Sequence, residues 1–423
     1  MWAHPGVAMA GYLERFGEVP PTAGLPLQRA DLGWPAGGAD ADLGAALARF
    51  LRVESVQIEC SGTAALVVAL TALRRLSPER DEVVLPGYTC PLVALAVIHC
   101  GLKLRVCDVR AGTLDLDPAH LQRLCIPRTL AVLPTHLGGR IADVATALDC
   151  ARRVGAWTIE DAAQALGAQA GGRSVGTRGD IGFFSLAVGK GLTMFEGGAL
   201  VVRDPALRRA CAQASADVVP PRAGWEFRRS LELLGYALCY RPAVLRWVYG
   251  LPLRRALRRG DWLSAAGDVF EPTIPLHRVG RWRQAVGVRA LARLPGFLAQ
   301  CTEQARRRRN RLAGIPGVQM LVDSEAVPDA AGVWPVLLVL LPTRDCRDSV
   351  LRAAWGSGCG LSVPFAHALP DYPSLADALA PQALPHARDM AARLLAISNS
   401  PWLNDARFAL LCATLAEHCA SAA

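Results

Sequence analysis

"TLAVLPTHLGGRIADVATALDCARRVGAWTIEDAAQALGA", residues 129–168, holds one full period of the pattern that decides the fold. "TLAVLPTH" is an apolar run that reads as a strand. "IADVATALDCARRVG" spaces its apolar residues at helical intervals and is closed by Gly155. "AWTIEDA" reads as a second strand. Strand, helix and strand in this succession argue for a parallel pair with the helix crossing one face.

The same alternation extends outward on both sides. Upstream, "SVQIEC" leads into the amphipathic "SGTAALVVALTALRRL", "EVVLP" precedes the helical "PLVALAVIHCG", and "LKLRVCDV" is a strand. "DPAHLQRL" is a helix with Asp117 at the N-cap and Pro118 at its first position. Downstream, "IGFFSL" and "GALVVRD" are further strands. A mostly parallel central sheet covered by helices on both faces is therefore expected from about residue 56 to 204. After residue 205 the pattern turns helical as far as Gly260. "QAVGVRALARLPGFLAQCTEQARRRRNRLAGIPG" then reads as one long helix or two, and "VWPVLLVLLP", "DSVLRAAWGSG" and "ARFALLCATLAEHC" suggest a smaller C-terminal α/β domain. The expected layout is an N-terminal arm over 1–45, a large domain over 46–260 with a helical insertion near 215–260, and a small domain over 261–423.

At 423 residues and 52% hydrophobic, the chain can bury a large core. A net charge of +9 favours anionic partners. Nucleic acid is not expected, because "RRLSPER", "RRALRRG" and "ARRRRNR" lack interleaved aromatics, and the last reads as a solvated helix face. Thirteen cysteines without a C-x-x-C pair or metal-ligand spacing fit a reducing cytoplasm and core packing. The N-terminal stretch has no signal-peptide pattern. "LELLGYALCYRPAVLRWVYGLPLRRALRRG" mixes apolar residues with arginine; peripheral membrane contact through 225–260 is one reading, and a helical insertion packed on its own protein is the favoured one.

In such sheets, ligands bind beyond the carboxyl ends of the strands, so polar residues there carry the most information. Ser61-Gly62-Thr63 opens a helix after the first strand, where backbone N–H groups favour a phosphate. A simple cap explains that triplet equally well. His136 ends "AVLPTH", as a core residue or a ligand-facing one. Glu160-Asp161 ends "WTIED", and buried carboxylates need partners. Ser185 ends "GFFS", five residues before Lys190. All but two of the 46 Lys plus Arg are arginine, the exceptions being Lys103 and Lys190. Arginine stays protonated, whereas lysine can give up its proton and form a Schiff base. A lysine between Gly189 and Gly191 therefore suggests chemistry that needs an amine. A lysine, a buried Asp and a phosphate-binding helix start are together what pyridoxal 5'-phosphate requires.

These residues resemble the DegT/DnrJ/EryC1/StrS sugar aminotransferase family, of the fold-type-I pyridoxal-phosphate enzymes. The resemblance rests on "SGTAAL", "DEVVLPGYTC", "CDVRAGTLDLDP", "LPTHLGG", "IEDAAQALGA", "GDIGFFSL" with "GKGLTMFEGGALVVRD", "RQAVGVRALARL" and "AISNSPWL", all in the family's order. It implies that Lys190 is the catalytic residue and carries the cofactor as a Schiff base. Asp161 would pair with the ring nitrogen and Gln164 would lie by the ring. Gly62, Thr63, Ala64 and Ser185 would hold the phosphate. It also implies an amino-acid donor, usually L-glutamate, a nucleotide-linked keto-sugar acceptor used in polysaccharide or glycoconjugate synthesis, and a homodimer with active sites at the subunit interface. Two places depart from the pattern. Cys90 stands where the family usually stacks an aromatic on the ring, with Tyr88 two residues before. Leu276 or His277 stands where a neighbouring-subunit loop usually carries Asn, with Arg278 or His277 as a substitute phosphate contact. Lys190 argues against the family's dehydratases, which replace the lysine. A non-catalytic homologue that binds cofactor or sugar nucleotide, or an enzyme of a non-sugar ketone, is the alternative.

Overall fold

The structure, a computed structural model, describes residues 17–35, 37, 41–270, 273–380 and 382–420. The first sixteen residues of the expected arm lie outside it.

The N-terminal part builds a seven-stranded sheet in the order β1-β9-β8-β5-β4-β2-β3. Its strands are β1 (Gln57–Glu59), β2 (Glu82–Pro86), β3 (Lys103–Cys107), β4 (Thr129–Val132), β5 (Trp157–Asp161), β8 (Ile181–Ser185) and β9 (Gly198–Val202). Every pairing from β8 across to β3 is parallel, and β9 alone runs against the rest. The mostly parallel sheet expected from the alternation is thus present. Three of the strands, β2, β4 and β9, bury every residue, as strands covered on both faces must; β5 leaves only its first residue partly exposed.

The covering helices begin where their caps dictate. After α1 (Leu43–Leu51) comes α2 (Gly62–Leu76), capped by Ser61, whose Oγ accepts the Ala64 N–H at 2.9 Å. α3 (Pro91–His99) has proline at its first position. α4 (Pro118–Leu124) starts at Asp117, whose carboxylate accepts the His120 N–H at 2.6 Å. α5 (Val144–Arg153) is capped by Asp143, so the helix read from Ile141 begins three residues later.

A small three-stranded sheet joins β6 (Gln169–Ala170) and β7 (Arg173–Ser174) to β11 (Ala330–Ala331). The C-terminal part forms an antiparallel sheet in the order β10-β12-β14-β13, made of β10 (Gln319–Leu321), β12 (Val336–Leu340), β13 (Leu361–Ser362) and β14 (Leu394–Ser398). The two sheets share one apolar core that includes Leu66, Leu133, Leu338 and Ala396.

The middle of the chain is helical: α6 (Pro205–Val218), α7 (Ala223–Cys239), α8 (Pro242–Leu245), a π-turn over Arg246–Gly250, α9 (Leu251–Arg258) and α10 (Trp262–Ala266). The long helical stretch that follows divides into α11 (Arg281–Leu291) and α12 (Leu294–Ala313) around Arg293 and Pro295. The C-terminal helices are α13 (Arg344–Ala354), α14 (Pro385–Arg393) and α15 (Asp405–Ala420). The "ARRRRNR" run on α12 is not uniformly solvated. Arg308 is buried, donating to Asn399 Oδ1 at 3.1 Å and to the Leu403 carbonyl, and Arg309 lies over the Trp334 ring.

Candidate active site

The carboxyl ends of β4, β5 and β8 and the start of α2 converge on a cavity of about 290 Å³. Ser61, Gly62, Thr63, Cys90, His136, Asp161, Gln164, Ser185 and Lys190 all line it. Two of the expected site residues do not. Ala64 is buried in the core, with its N–H already taken by Ser61. Tyr88 is buried behind the cavity, where its hydroxyl donates to the Phe365 carbonyl at 3.1 Å and accepts the Phe365 N–H at 3.2 Å. Phe183 and Phe365 both line the cavity, and the Phe365 ring stands edge-on to Tyr88.

Successive strand residues point to opposite faces, and this separates the two carboxylates of "WTIED". Glu160 turns away from the cavity and accepts backbone N–H groups from Gly176, Arg178 and Gly179 at 2.9, 2.6 and 2.6 Å. Its Oε2 also meets His136 Nε2 at 3.1 Å. Burial raises a carboxyl's pKa, but here the His136 contact and the N–H groups outweigh it and hold Glu160 below its ordinary value. Since His136 Nδ1 accepts the Ala142 N–H at 3.1 Å, its Nε2 is the nitrogen that donates to Glu160. His136 is thus locked in one orientation on the cavity wall.

Asp161 faces the cavity. Its Oδ1 accepts the Ala163 N–H at 3.0 Å. Burial pushes its carboxyl above the usual range, and the Ala163 N–H and the Lys190 charge pull it back down. Burial likewise pushes the Lys190 amine below its usual value, against the pull of Cys90 and Asp161. The Cys90 thiol is driven up to about 12 by burial, so it stands neutral beside the amine. Gln164 is oriented by its Oε1, which accepts the Gly138 N–H at 2.8 Å.

The lysine loop is tied down from both sides. Gly189 has φ +79°, and a Cβ there would lie 2.3 Å from Thr22 Oγ1, so only glycine fits. Leu25 N–H donates to the Gly191 carbonyl at 3.1 Å, which fastens the N-terminal arm over the loop. Phe195 is also held at positive φ, 68°, beneath the Arg229 guanidinium. On the next residue, Glu196 lines the cavity and pairs with Arg229. Gly62 brings α2 close to β8, since a Cβ there would sit 3.1 Å from that of Ser185.

The second departure also has a place. His277 is fully buried, its Nε2 3.2 Å from an Arg283 nitrogen and its ring stacked near Trp225. Burial and the neighbouring Arg283 lower its pKa to about 4. Arg278 is exposed and donates to the Val219 carbonyl at 3.3 Å. Neither lines the cavity; Thr273, Ile274 and Pro275 of this same loop do.

The residues present fit pyridoxal phosphate. The Thr89 and Thr135 hydroxyls are buried and unpaired among the described residues, and both residues line the cavity. Buried polar groups need partners, so they call for a polar ligand. The first N–H groups of α2 suit its phosphate, Asp161 suits a pyridine nitrogen, and Lys190 suits an aldehyde. Thr89 and Thr135 were not singled out from the sequence, although both sit in the strand-end segments "LPGYTCP" and "LPTH". Phe365 had no local signal. No group of His, Cys, Asp and Glu able to hold a metal occurs among the described residues.

Comparison with known proteins follows the same lines. Residues 31–237 match the model of the DegT/DnrJ/EryC1/StrS aminotransferase family. An L-glutamine:2-deoxy-scyllo-inosose aminotransferase of Streptomyces kanamyceticus is 37% identical over 209 residues, 47% of this chain and 48% of that one. A GDP-perosamine synthase of Caulobacter vibrioides is 40% identical over 148 residues, 35% of this chain and 39% of that one. The chain thus spans about half or less of the length of these relatives. Among solved structures, DesI, crystallised in the presence of its TDP-sugar product, superposes with a TM-score of 0.71 at 21% identity, covering 95% of this chain and 93% of that one.

Proposed function

We propose, on the premise that this chain belongs to the DegT/DnrJ/EryC1/StrS family through residues 31–237, that it is a pyridoxal-phosphate-dependent aminotransferase. It would move an amino group from an amino acid to the ketone of a sugar-like acceptor. The observation that carries this reading is the convergence of Lys190, Asp161 and the α2 start on one cavity. Bound there, pyridoxal phosphate supplies an aldehyde that takes and returns the amino group and a ring that receives the electrons of the broken C–H bond.

The chain's own residues divide the remaining work. Gly62, Thr63 and Ser185 hold the phosphate, while Ala64 and Tyr88 shape the wall from behind. Asp161 keeps the ring nitrogen protonated. Gln164, fixed by Gly138, and the neutral Cys90 thiol flank the ring. Lys190, whose amine burial already pushes toward the neutral form, moves the proton to and from the substrate carbon. The arm and the C-terminal segment around Phe365 keep water out. L-glutamate is the proposed donor, with L-glutamine the competitor that one relative's name suggests. A nucleotide-linked keto-sugar is the acceptor the family resemblance implies. Adding L-glutamate or L-glutamine to the loaded protein should convert the absorbance of bound pyridoxal phosphate to that of pyridoxamine phosphate, and Lys190→Ala should abolish the change. Failure of every amino acid to shift the spectrum would sink this reading.

The proposed assembly is a homodimer, which sedimentation at micromolar concentration tests. The insertion has its own proposed partner. On α7, Phe227, Leu231, Leu234 and Leu238 are exposed and recur at helical spacing, opposite the buried Leu233 and Tyr236. Residues 222–260 carry nine arginines against two glutamates. Two copies of so basic a segment repel, whereas an anionic lipid surface attracts it. Phosphatidylglycerol vesicles should sediment with the protein and phosphatidylcholine vesicles should not. Equal binding to both, or loss of dimer in Leu231→Glu, would assign the stripe elsewhere.

A further inference from the structure

Where the chain runs on past β4 it makes one more rung with the end of β5, between Thr135 and Asp161. The two residues are bridged in parallel. The Asp161 N–H donates to the Pro134 carbonyl at 3.0 Å, and the His136 N–H donates to the Asp161 carbonyl at 2.9 Å. Residues paired in this way lie about 4.8 Å apart and present their side chains on the same face of the sheet. Both line the cavity that holds Lys190. The rung therefore sets a hydroxyl beside the Asp161 carboxylate.

Each side chain offers what the other lacks. The Thr135 hydroxyl is buried and has no partner among the described residues, although it carries a proton to donate. Asp161 spends Oδ1 on the Ala163 N–H at 3.0 Å, and no donor among the described residues reaches its Oδ2. An ionised carboxylate accepts at about four positions, so Oδ2 has room for a hydroxyl and a ring N–H together. Burial opposes the negative charge that Asp161 must carry to pair with a protonated ring nitrogen. A hydroxyl donor offsets that cost, and one turn about the Cα–Cβ bond of Thr135 delivers it.

We infer that Thr135 is a positioning residue of the cofactor site, whose hydroxyl donates to the Asp161 carboxylate when the cofactor is bound and keeps it ionised and aimed at the ring nitrogen. The inference rests on the pyridoxal-phosphate reading and deepens it. Thr135→Val keeps the shape of the wall and loses the donor, whereas Thr135→Ser keeps the donor. The other titratable groups that act on Asp161 are Lys190, His136 and Cys90 at the start of α3. Neither substitution touches them.

Absorbance of the full-length protein loaded with pyridoxal phosphate tests this without turnover. Thr135→Val should release the cofactor on dialysis at least about tenfold faster than wild type, as loss of a hydrogen bond to a charged group requires. The pH midpoint at which the bound cofactor changes its absorbance should also move up, by about one unit. A less firmly protonated ring nitrogen no longer opposes a positive charge where Lys190 joins the cofactor. Thr135→Ser should restore both values, and Thr135→Ala takes the place of Thr135→Val should the latter disturb folding. In an Asp161→Asn background, loss of the hydroxyl should change neither value further. Wild-type values in Thr135→Val, no restoration in Thr135→Ser, or an undiminished effect in the Asp161→Asn background would overturn the inference and leave the cofactor reading standing. A wild-type protein that takes up no pyridoxal phosphate would overturn both.

Discussion

Lys190 and Asp161 sit in one buried space and each is perturbed mainly by that burial. The lysine amine is therefore more easily neutral than a free one, and neutrality is what attack on an aldehyde requires. The rate of cofactor uptake should rise with pH with an inflection below 10.5, the ordinary lysine value; an inflection at or above it would contradict the burial of the amine. Glu160 behaves in the opposite sense. Its folded pKa lies below the ordinary 4.5, so its contribution to stability is complete above that pH and is lost as pH falls through the folded value. Glu160→Gln should cost about 3 kcal/mol at pH 7, because three N–H donors lose a charged acceptor. The gap from wild type in urea midpoints should close below pH 4.5. The two carboxylates were legible as a pair, but only strand direction separates the structural one from the cavity one.

The elements around the lysine loop are joined by one buried arginine. Arg283 on α11 is fully buried and grips Glu226 of α7, with Nε to Oε1 at 2.9 Å, and it donates to the carbonyls of Met194 and Glu196. Arg283→Met should lower stability by about 3 kcal/mol, since it leaves a carboxylate and two carbonyls without their donor. It should also speed cofactor loss, because the Glu196 carbonyl belongs to the loop that carries Lys190. Dialysis of the loaded variant checks this, and retention equal to wild type would remove Arg283 from the support of the site. Element positions were largely legible: caps at Ser61 and Asp117 mark helix starts through local hydrogen bonds, whereas the Asp143 cap, which starts its helix three residues past Ile141, was not singled out. The fate of individual arginines was not. Arg308 and Arg309 read as part of a solvated run, yet Asn399 and Trp334, distant in sequence, decide where they go. Sequence periodicity reports one helix, not what packs on it.

For the whole molecule, the parallel sheet follows from the alternation over residues 56–204, and its strand ends place the cavity. What reaches that cavity from afar could not be read locally. Phe365 arrives from the C-terminal part, and Thr22 to Leu25 lie over the lysine loop. Lys190 is the proposed anchor of pyridoxal phosphate, and because the chain has only two lysines the anchor can be read directly from a covalent label. The loaded protein is reduced with borohydride, digested, and the peptides weighed by mass spectrometry. A pyridoxyl group is expected on the peptide that contains Lys190 and none on that of Lys103. A label on Lys103 alone, or equal labelling of both, would contradict it.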